Sequence, residues 1–497
     1  MEKNYKKLKF IISHAKYYGF IFPSSEIYDG LKAVYDYGQY GILLKNNIKE
    51  YWWKSMTQLH ENIVGIESSI LMHNKIWKAS GHIDEFNDIL LYNENTKKNY
   101  RIDLLIEDFL EKINNYKNIL FYNKKIIYNI NYIKKKFKKK LFYYIYECFN
   151  KNKILDIKSL INKLNIYEPN SGYKIYKINL MFIVYLKNLD NNKKLYLRPE
   201  TAQGSFINFL NVKKTSKINI PFGISQIGKV FRNEIIARQF LFRMREFEQM
   251  EMQFFFCPGE EEKWYYYWKE YRLKWHLSLG IKKDNYRFYN HDKLAHYSKD
   301  ACDIQFKFPF GFKELEGIHS RTDFDMKNHE KFSKKKLRYF DFKKNRSYIP
   351  YIIETSIGLD RMFLAIFSSC LKEEKIKNDI NHKRIVFKIP YILSPIKVAI
   401  LPLVKKNELT FIGKKIFKKF KLYYSLVYDE KDSIGKRYRR QDSIGTPICI
   451  TIDYDSLNDN CVTIRYRDSM NQKRIPILKI KKNIEKSINI KNILNYI

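Results

Sequence analysis

Cysteine pairs, long apolar runs and internal repeats are missing from this chain, and each absence excludes a class of protein. The six cysteines, Cys148, Cys257, Cys302, Cys370, Cys449 and Cys461, stand apart with no CxxC pair among 497 residues. Such spacing supports neither a disulfide framework nor a thiolate zinc site, so no zinc is predicted. No stretch of eighteen apolar residues occurs, and residues 1–10 alternate lysine with polar and apolar residues. No membrane segment or hydrophobic signal core is therefore predicted, and the expectation is a soluble, cytoplasmic protein. No sequence repeat points to a solenoid or an array. Acidic residues are also in short supply, 53 against 92 lysines and arginines, which leaves a net charge of +39. That excess invites a nucleic-acid reading. It comes, however, with an abundance of Lys, Asn, Ile, Tyr and Phe, the residues whose codons are richest in A and T, so bulk charge alone carries modest weight.

What is present divides into blocks, and 45% hydrophobic residues are ample for several cores. Residues 1–109 read as globular, with helical spacing from Leu43 to Trp53. From 110 to 175 the composition falls to Lys, Asn, Ile, Tyr and Leu, including Lys134, Lys135, Lys136, Lys138, Lys139 and Lys140. This is longer than an ordinary loop and reads either as a small basic helical insertion or as a partly disordered tract. Strands alternating with helices resume near Tyr176 and run to about residue 392. From 393 to 497 the pattern is an α/β module, with strands at 396–401, 424–428, 448–452 and 461–467 and an amphipathic helix at 410–420.

Arg232, Asn233 and Glu234, followed by Arg243, Arg245, Glu246, Phe247 and Glu251, form the most informative stretch. On an extended strand residues two apart share a face, which aligns Arg243, Arg245, Phe247 and Glu251 and turns Met244, Met250, Met252 and Phe254 toward a core. Two such arms predict an antiparallel hairpin with a long loop at 236–242. Guanidinium forks suit phosphate oxygens and a phenyl ring stacks on a base; a buried ion-pair network is the structural alternative. A second constellation has Glu354 and Ser356 on one face of a strand, then Gly358 opening a helix with Asp360 and Arg361 in its first turn. That arginine, beside a positive helix end, suits a polyphosphate tail, or else pairs with Asp360 or Glu354 for structure alone. Gly223, Gly228 and Lys229 mimic a phosphate-binding loop, yet Val230 stands where a hydroxyl must bind magnesium.

These words resemble motifs 2 and 3 of class II aminoacyl-tRNA synthetases, and specifically the homodimeric type of the glycyl-tRNA synthetase family. The resemblance is carried by residues 79–82, 101–103, 196–204, 231–235, 245–252, 294–298, 314–317, 321–323, 433–442 and 445–447, nearly everything outside 110–175. It implies an α+β catalytic domain, a class II antiparallel sheet of six strands flanked by helices, at 1–109 and 176–392. It further implies a basic insertion at 110–175, an α/β anticodon-binding domain at 393–497 and a homodimer. The partners implied are ATP with Mg2+, glycine and tRNA(Gly). The residues implied for ATP are Arg232, Asn233, Glu234, Phe242, Arg243, Met244, Arg245, Glu246, Phe247, Glu314, Leu315, Gly358, Leu359, Asp360 and Arg361, with Arg232 and Arg361 catalytic. Those implied for glycine are Arg101, Glu200, Phe247, Glu248, Gln249, Met250, Glu251, Arg321, Glu354, Thr355, Ser356, Ile357 and Gly358, with Glu316 close by.

Spacing agrees with that assignment in one respect: Glu251 lies four residues beyond Phe247, roughly 13 Å along a strand, about the span from a base to an amino acid joined through phosphate. Packing Glu251, Glu354 and Ser356 around an α-ammonium excludes larger side chains. Lys436, Arg437, Arg439 and Arg440, with Tyr438 among them, form a basic and aromatic cluster, bracketed as a turn by Gly435, Gly445 and Pro447, that suits RNA. Thr355, Gln39, Tyr40 and Gln253 depart from the family pattern. Two other readings stay open: a nucleic-acid-binding accessory protein that has lost charging activity, and a synthetase for another small amino acid.

Overall fold

A computed structural model describes residues 2–101, 105, 173–187, 192–234, 239–291, 299–376 and 379–495. The lysine-rich tract of the sequence falls outside the described residues. Two compact units are present: residues 1–80, 183–232 and 237–497 make the first, and 81–182 with 233–236 the second. The second contains a three-stranded antiparallel sheet built from Asn87–Asn93, Lys98–Arg101 and Tyr173–Asn179.

The first unit is organised by a seven-stranded sheet. Its strands are β1 (Ile63–Gly65), β2 (Phe222–Phe231), β3 (Glu246–Phe256), β4 (Tyr286–Asn290), β5 (Asp300–Phe308), β6 (Gly311–Thr322) and β7 (Tyr351–Gly358). They lie in the order β4-β5-β6-β7-β3-β2-β1, six antiparallel strands with short β1 added parallel to β2. The expected hairpin is therefore real, as β2 against β3. Gly223, Gly228 and Lys229 lie inside β2, an extended strand that forms no phosphate-binding loop.

Period-two alternation decides which face each side chain takes. Met250, Met252 and Phe254 of β3 turn to the back, where they are fully buried in the main core, a gain of ~1.5–3 kcal/mol for each such side chain. That face is covered by helices α1 (Glu2–Tyr17), α2 (Gln39–Thr57), α4 (Glu261–Ser278) and α6 (Leu359–Cys370). Helix α6 is apolar on nearly every side, as a helix enclosed by protein must be. Gly41 lets α2 approach the preceding chain, since a Cβ there would sit 1.9 Å from the Phe20 carbonyl oxygen. The front face is flanked by α3 (Ala202–Ile207) and α5 (Phe324–Ser333).

The C-terminal module holds β8 (Val398–Pro402), β9 (Leu426–Tyr428), β10 (Ile448–Ile452), β11 (Cys461–Tyr466) and β12 (Gln472–Pro476), in the order β9-β8-β10-β11-β12. The first three are parallel and the rest antiparallel, with helices α7 (Asn407–Phe420) and α8 (Ile434–Ile444) between them. The basic cluster at 436–440 is thus helical, which corrects the turn expected from its flanking glycines. Gly445, at φ 87°, ends α8 by returning its N–H to the last turn, so this glycine caps a helix rather than bracketing a loop. Helix α1 meets this module directly: the buried His14 ring places Nε2 2.9 Å from the carbonyl oxygen of Ser443.

Candidate active site

The front of the sheet collects polar side chains that the back excludes. Glu251 and Gln253 of β3 stand opposite Ser356 and Glu354 of β7, and Gly317 and His319 of β6 oppose the same pair. Buried Glu251 accepts hydrogen bonds from Ser356 Oγ (2.6 Å) and Thr201 Oγ1 (2.5 Å). Burial, then the neighbouring carboxylates of Glu354 and Glu200, push its pKa up to about 7.

Glu354 behaves oppositely. Burial opposes its ionisation, but Arg321 and His319 outweigh that and hold its carboxyl below the usual range. Arg321 Nη1 and Gln253 Nε2 donate to Glu354 Oε2 at 2.9 and 2.7 Å, and His319 Nδ1 lies 3.0 Å from Oε1. The same pairing raises the His319 pKa in spite of its burial. Arg321 is fixed from behind by Asp325, at 2.9 and 3.2 Å. Gln203 Nε2 ties Glu200 (2.9 Å) to Asp325 (3.0 Å), with His329 Nε2 2.7 Å from Gln203 Oε1. Gly317 leaves the floor open beside this wall: a Cβ there would strike the His319 ring at 2.7 Å. His319, Gln203, Asp325 and Thr201 were not singled out by sequence; they lie in or beside the matched words, but only the fold shows what they touch.

Toward the same end of the sheet lie two aromatic rings, Phe247 and Phe242, each with an arginine beside it. The Arg232 guanidinium stands 5.4 Å from the centroid of the Phe247 ring and Arg232 Nε donates to the Pro199 carbonyl (3.0 Å). Arg361, from the first turn of α6, lies 4.5 Å from the centre of the Phe242 ring and pairs with Glu314 at 3.0 Å. Its partner is Glu314, neither Asp360 nor Glu354. Arg361 holds the Glu314 carboxyl below the usual range, with Arg232 adding to the effect, and the Glu314 side chain remains 49% exposed.

Several expected residues are placed elsewhere. Strand β2 ends at Phe231, so Arg232, Asn233 and Glu234 continue beyond it, and Arg243 and Arg245 precede β3; face-sharing along a strand therefore does not align them. The Arg232 N–H still reaches the Arg245 carbonyl (2.9 Å), which keeps the two arms together past the regular ladder. Arg101 and Glu234 belong to the second unit, where Arg101 lies 2.9 Å from Asp88 and 3.8 Å from Glu234. Glu246 pairs with Lys229. The side chains of Met244, Met250, Leu315, Ile357 and Leu359 are in the main core, which leaves any contact with a small molecule to their main chain.

Glu248, expected at glycine, and Asp360, expected at ATP, instead turn their side chains to the back of the sheet, through the even position of Glu248 and the turn of α6. Glu248 pairs with Lys45 (2.6 Å) and Lys49 (2.5 Å), and Asp360 with Lys45 (3.5 Å). Glu316 is also behind, fully buried against Arg272 (2.5 Å) and His276 (2.7 Å). In α8, Arg437 is buried and spends its guanidinium on the carbonyls of Pro402 (2.6 Å), Asp429 (2.9 Å) and Leu403 (3.0 Å), so it is a structural residue rather than an RNA contact. Arg440 pairs with Asp429 and Asp432, while Lys436 and Arg439 are exposed. Among the described residues no three His, Cys, Asp or Glu side chains converge as a metal-binding set, and no helix is long and apolar enough to cross a membrane.

Residues 179–370 match the family model of the tRNA synthetase class II core domain (G, H, P, S and T), and residues 397–487 match that of the anticodon binding domain. A crystal structure described as the RNA binding domain of threonyl-tRNA synthetase from Cryptosporidium parvum Iowa II shares the fold, with a TM-score of 0.60 at 13% identity over 95% of this chain and 96% of that one. Prolyl-tRNA synthetase from Cryptosporidium parvum, complexed with L-proline and AMP, gives 0.56 at 12% identity over 98% and 76%. Sheet, flanking helices and C-terminal module together define a class II aminoacyl-tRNA synthetase. Glycine–tRNA ligases of Chlorobaculum tepidum (44% identical, covering 94% of this chain and 97% of the relative) and Treponema denticola (42%, covering 98% of each) are similar over nearly their whole length. That of Staphylococcus aureus strain JH9 is 44% identical, covering 96% of this chain and 98% of the relative. The chain belongs to the glycine–tRNA ligase family.

Proposed function

We propose that the front of the sheet is where this chain joins glycine to ATP, before the glycyl group passes to the 3′ end of tRNA(Gly). The observation that carries the assignment is Glu251, a buried carboxyl on the front of the sheet that receives two hydroxyl hydrogen bonds and stands opposite Ser356, beside Glu354. Such a group suits a cation, and an α-ammonium is the cation glycine brings. Ser356 and Thr201 orient that carboxylate, and Arg321 keeps Glu354 ionised beside it. A pocket so closely walled selects by exclusion, since any side chain on the substrate displaces one of these groups.

The remainder of the platform suits the nucleotide. Phe247 offers its face to the base, Arg232 grips the α-phosphate and Arg361 reaches the outer phosphates. The glycine carboxylate oxygen attacks the α-phosphorus, the bond to the bridging oxygen breaks, and pyrophosphate leaves with the electron pair. Rate enhancement then comes from alignment and from fixed positive charge at the phosphates, with no covalent enzyme intermediate. Magnesium would accompany ATP; half-exposed Glu314, which faces Arg361, would offer it a hard oxygen donor, and the metal would neutralise phosphate charge. Exposed Lys436 and Arg439 of α8 are assigned to tRNA contact.

We assign 1–109 and 176–392 to the catalytic domain, 110–175 to an insertion and 393–497 to the anticodon-binding domain, in a cytoplasmic homodimer. The test of substrate is amino-acid-dependent pyrophosphate exchange on purified protein with glycine, serine, threonine, proline and alanine. Exchange is expected with glycine alone. Folded protein that gives none with glycine overturns the assignment.

A further inference from the structure

Phe247 and Arg361 belong to different elements, one to the second residue of β3 and the other to the first turn of α6, and a nucleotide held by both requires a fixed separation. Behind the sheet the residues adjoining each are tied together. Glu248 follows Phe247 and Asp360 precedes Arg361, and the Glu248 N–H donates to Asp360 Oδ2 (2.9 Å). A direct hydrogen bond thus joins the two carriers of the proposed nucleotide site.

That bond brings two buried acids together, with side chains 11% and 3% exposed. Lys45 of α2 meets both: its Nζ lies 2.6 Å from Glu248 Oε2 and 3.5 Å from Asp360 Oδ1, and 4.0 Å from the centre of the Tyr37 ring. Lys49 reaches the other oxygen of Glu248, and the Tyr37 hydroxyl donates to Asp360. These five groups, Tyr37, Lys45, Lys49, Glu248 and Asp360, balance two cations against two carboxylates. Remove Lys45 and one cation faces two buried acids, an arrangement that repels at short range where water screens little.

We infer that Lys45 is a positioning residue for nucleotide activation: by neutralising Glu248 and Asp360 together it holds β3 to the head of α6, and so sets the distance between the Phe247 ring and the Arg361 guanidinium. Lys45 touches no substrate. It acts through two acids whose neighbours do, and the inference rests on the front face being the adenylating site.

The experiment compares wild type with Lys45→Met and Lys45→Arg in glycine-dependent pyrophosphate exchange, measuring KM for ATP and for glycine separately. A small misplacement of a reacting group costs about 100-fold; Lys45→Met is expected to lower kcat/KM for ATP by about that factor while KM for glycine changes by less than about twofold. Lys45→Arg should recover most of the loss. Two readouts separate positioning from general damage. At saturating glycine, acidification should improve the ATP KM of Lys45→Met but not of wild type, because protonating one carboxylate restores the balance. Adding Glu248→Gln to Lys45→Met should do the same at neutral pH. Should Lys45→Met fail to fold, Lys45→Gln is read by the same criteria. An unchanged ATP KM, or an equal loss for both substrates that neither acid nor Glu248→Gln relieves, overturns the role of Lys45. Wild-type protein lacking exchange with glycine sinks the site assignment instead.

Discussion

The two faces of the central sheet are made by the same strands, yet they treat charge in opposite ways. Behind it the buried carboxylates are matched: Glu316 has Arg272 and His276, Glu248 has Lys45 and Lys49, and Asp360 has Lys45. Glu316 and Glu248 titrate below their usual range although burial works against ionisation. In front, Arg321 and His319 both go to Glu354. Buried Glu251 is met by the hydroxyls of Ser356 and Thr201, and its pKa is pushed up to about 7 by burial and by the carboxylates of Glu354 and Glu200. Along β3 the change from one regime to the other takes a single residue. A balanced cluster holds elements together, whereas an unbalanced one awaits something from outside, and here the imbalance has the sign and size of an amino acid's ammonium.

That contrast can be broken from either side. The largest effect is expected in front, from Arg232→Ala, which removes a charged donor aimed at the phosphate and should cut glycine-dependent pyrophosphate exchange by about 10²–10³-fold with no change in thermal unfolding. Exchange at the wild-type rate would show that Arg232 does not hold the phosphate. Behind the sheet, Arg272→Met leaves Glu316 with His276 alone, and should cost about 3–5 kcal/mol of stability in denaturant unfolding with the KM values of the surviving enzyme unchanged. A selective rise in one KM would mean the back face takes part in binding.

The smallest effect is a pH dependence. Free Glu251 keeps its proton below about pH 7, and the ammonium needs the ionised form, so binding must expel that proton at acidic pH. The glycine KM at saturating ATP should therefore rise on acidification below 7, by up to about tenfold per pH unit, and level off above it. A KM that is flat from pH 6 to 8 would remove the basis for placing the ammonium at Glu251.

Much of this was legible in the chain because alternation and local words report on single elements. Met250, Met252 and Phe254 turned to the core as their parity required, and Glu354 and Ser356 fell on one face as two strand residues should. Failures arose where an element ends or where a partner is distant in sequence. Extrapolating β2 past Phe231 misaligned Arg232 and Glu234, since no ladder continues there to impose alternation. Glu248 and Asp360 adjoin residues of the front, and nothing local reveals that Lys45, far earlier in the chain, claims both from behind. Arg437 looked like its neighbours Lys436 and Arg439; only the helical turn separates a guanidinium buried against three carbonyls from side chains left in water.

The contact between His14 and Ser443 has a consequence in time. Its partners are 429 residues apart, and at about 5–20 residues per second a growing chain needs tens of seconds to make the second after the first. For that interval α1 has no carbonyl to receive its imidazole and an apolar face with nothing from the C-terminal module beside it. Helix α1 is thus made long before its final surroundings exist, and the catalytic core closes at that edge only when the module meant to meet RNA has been made.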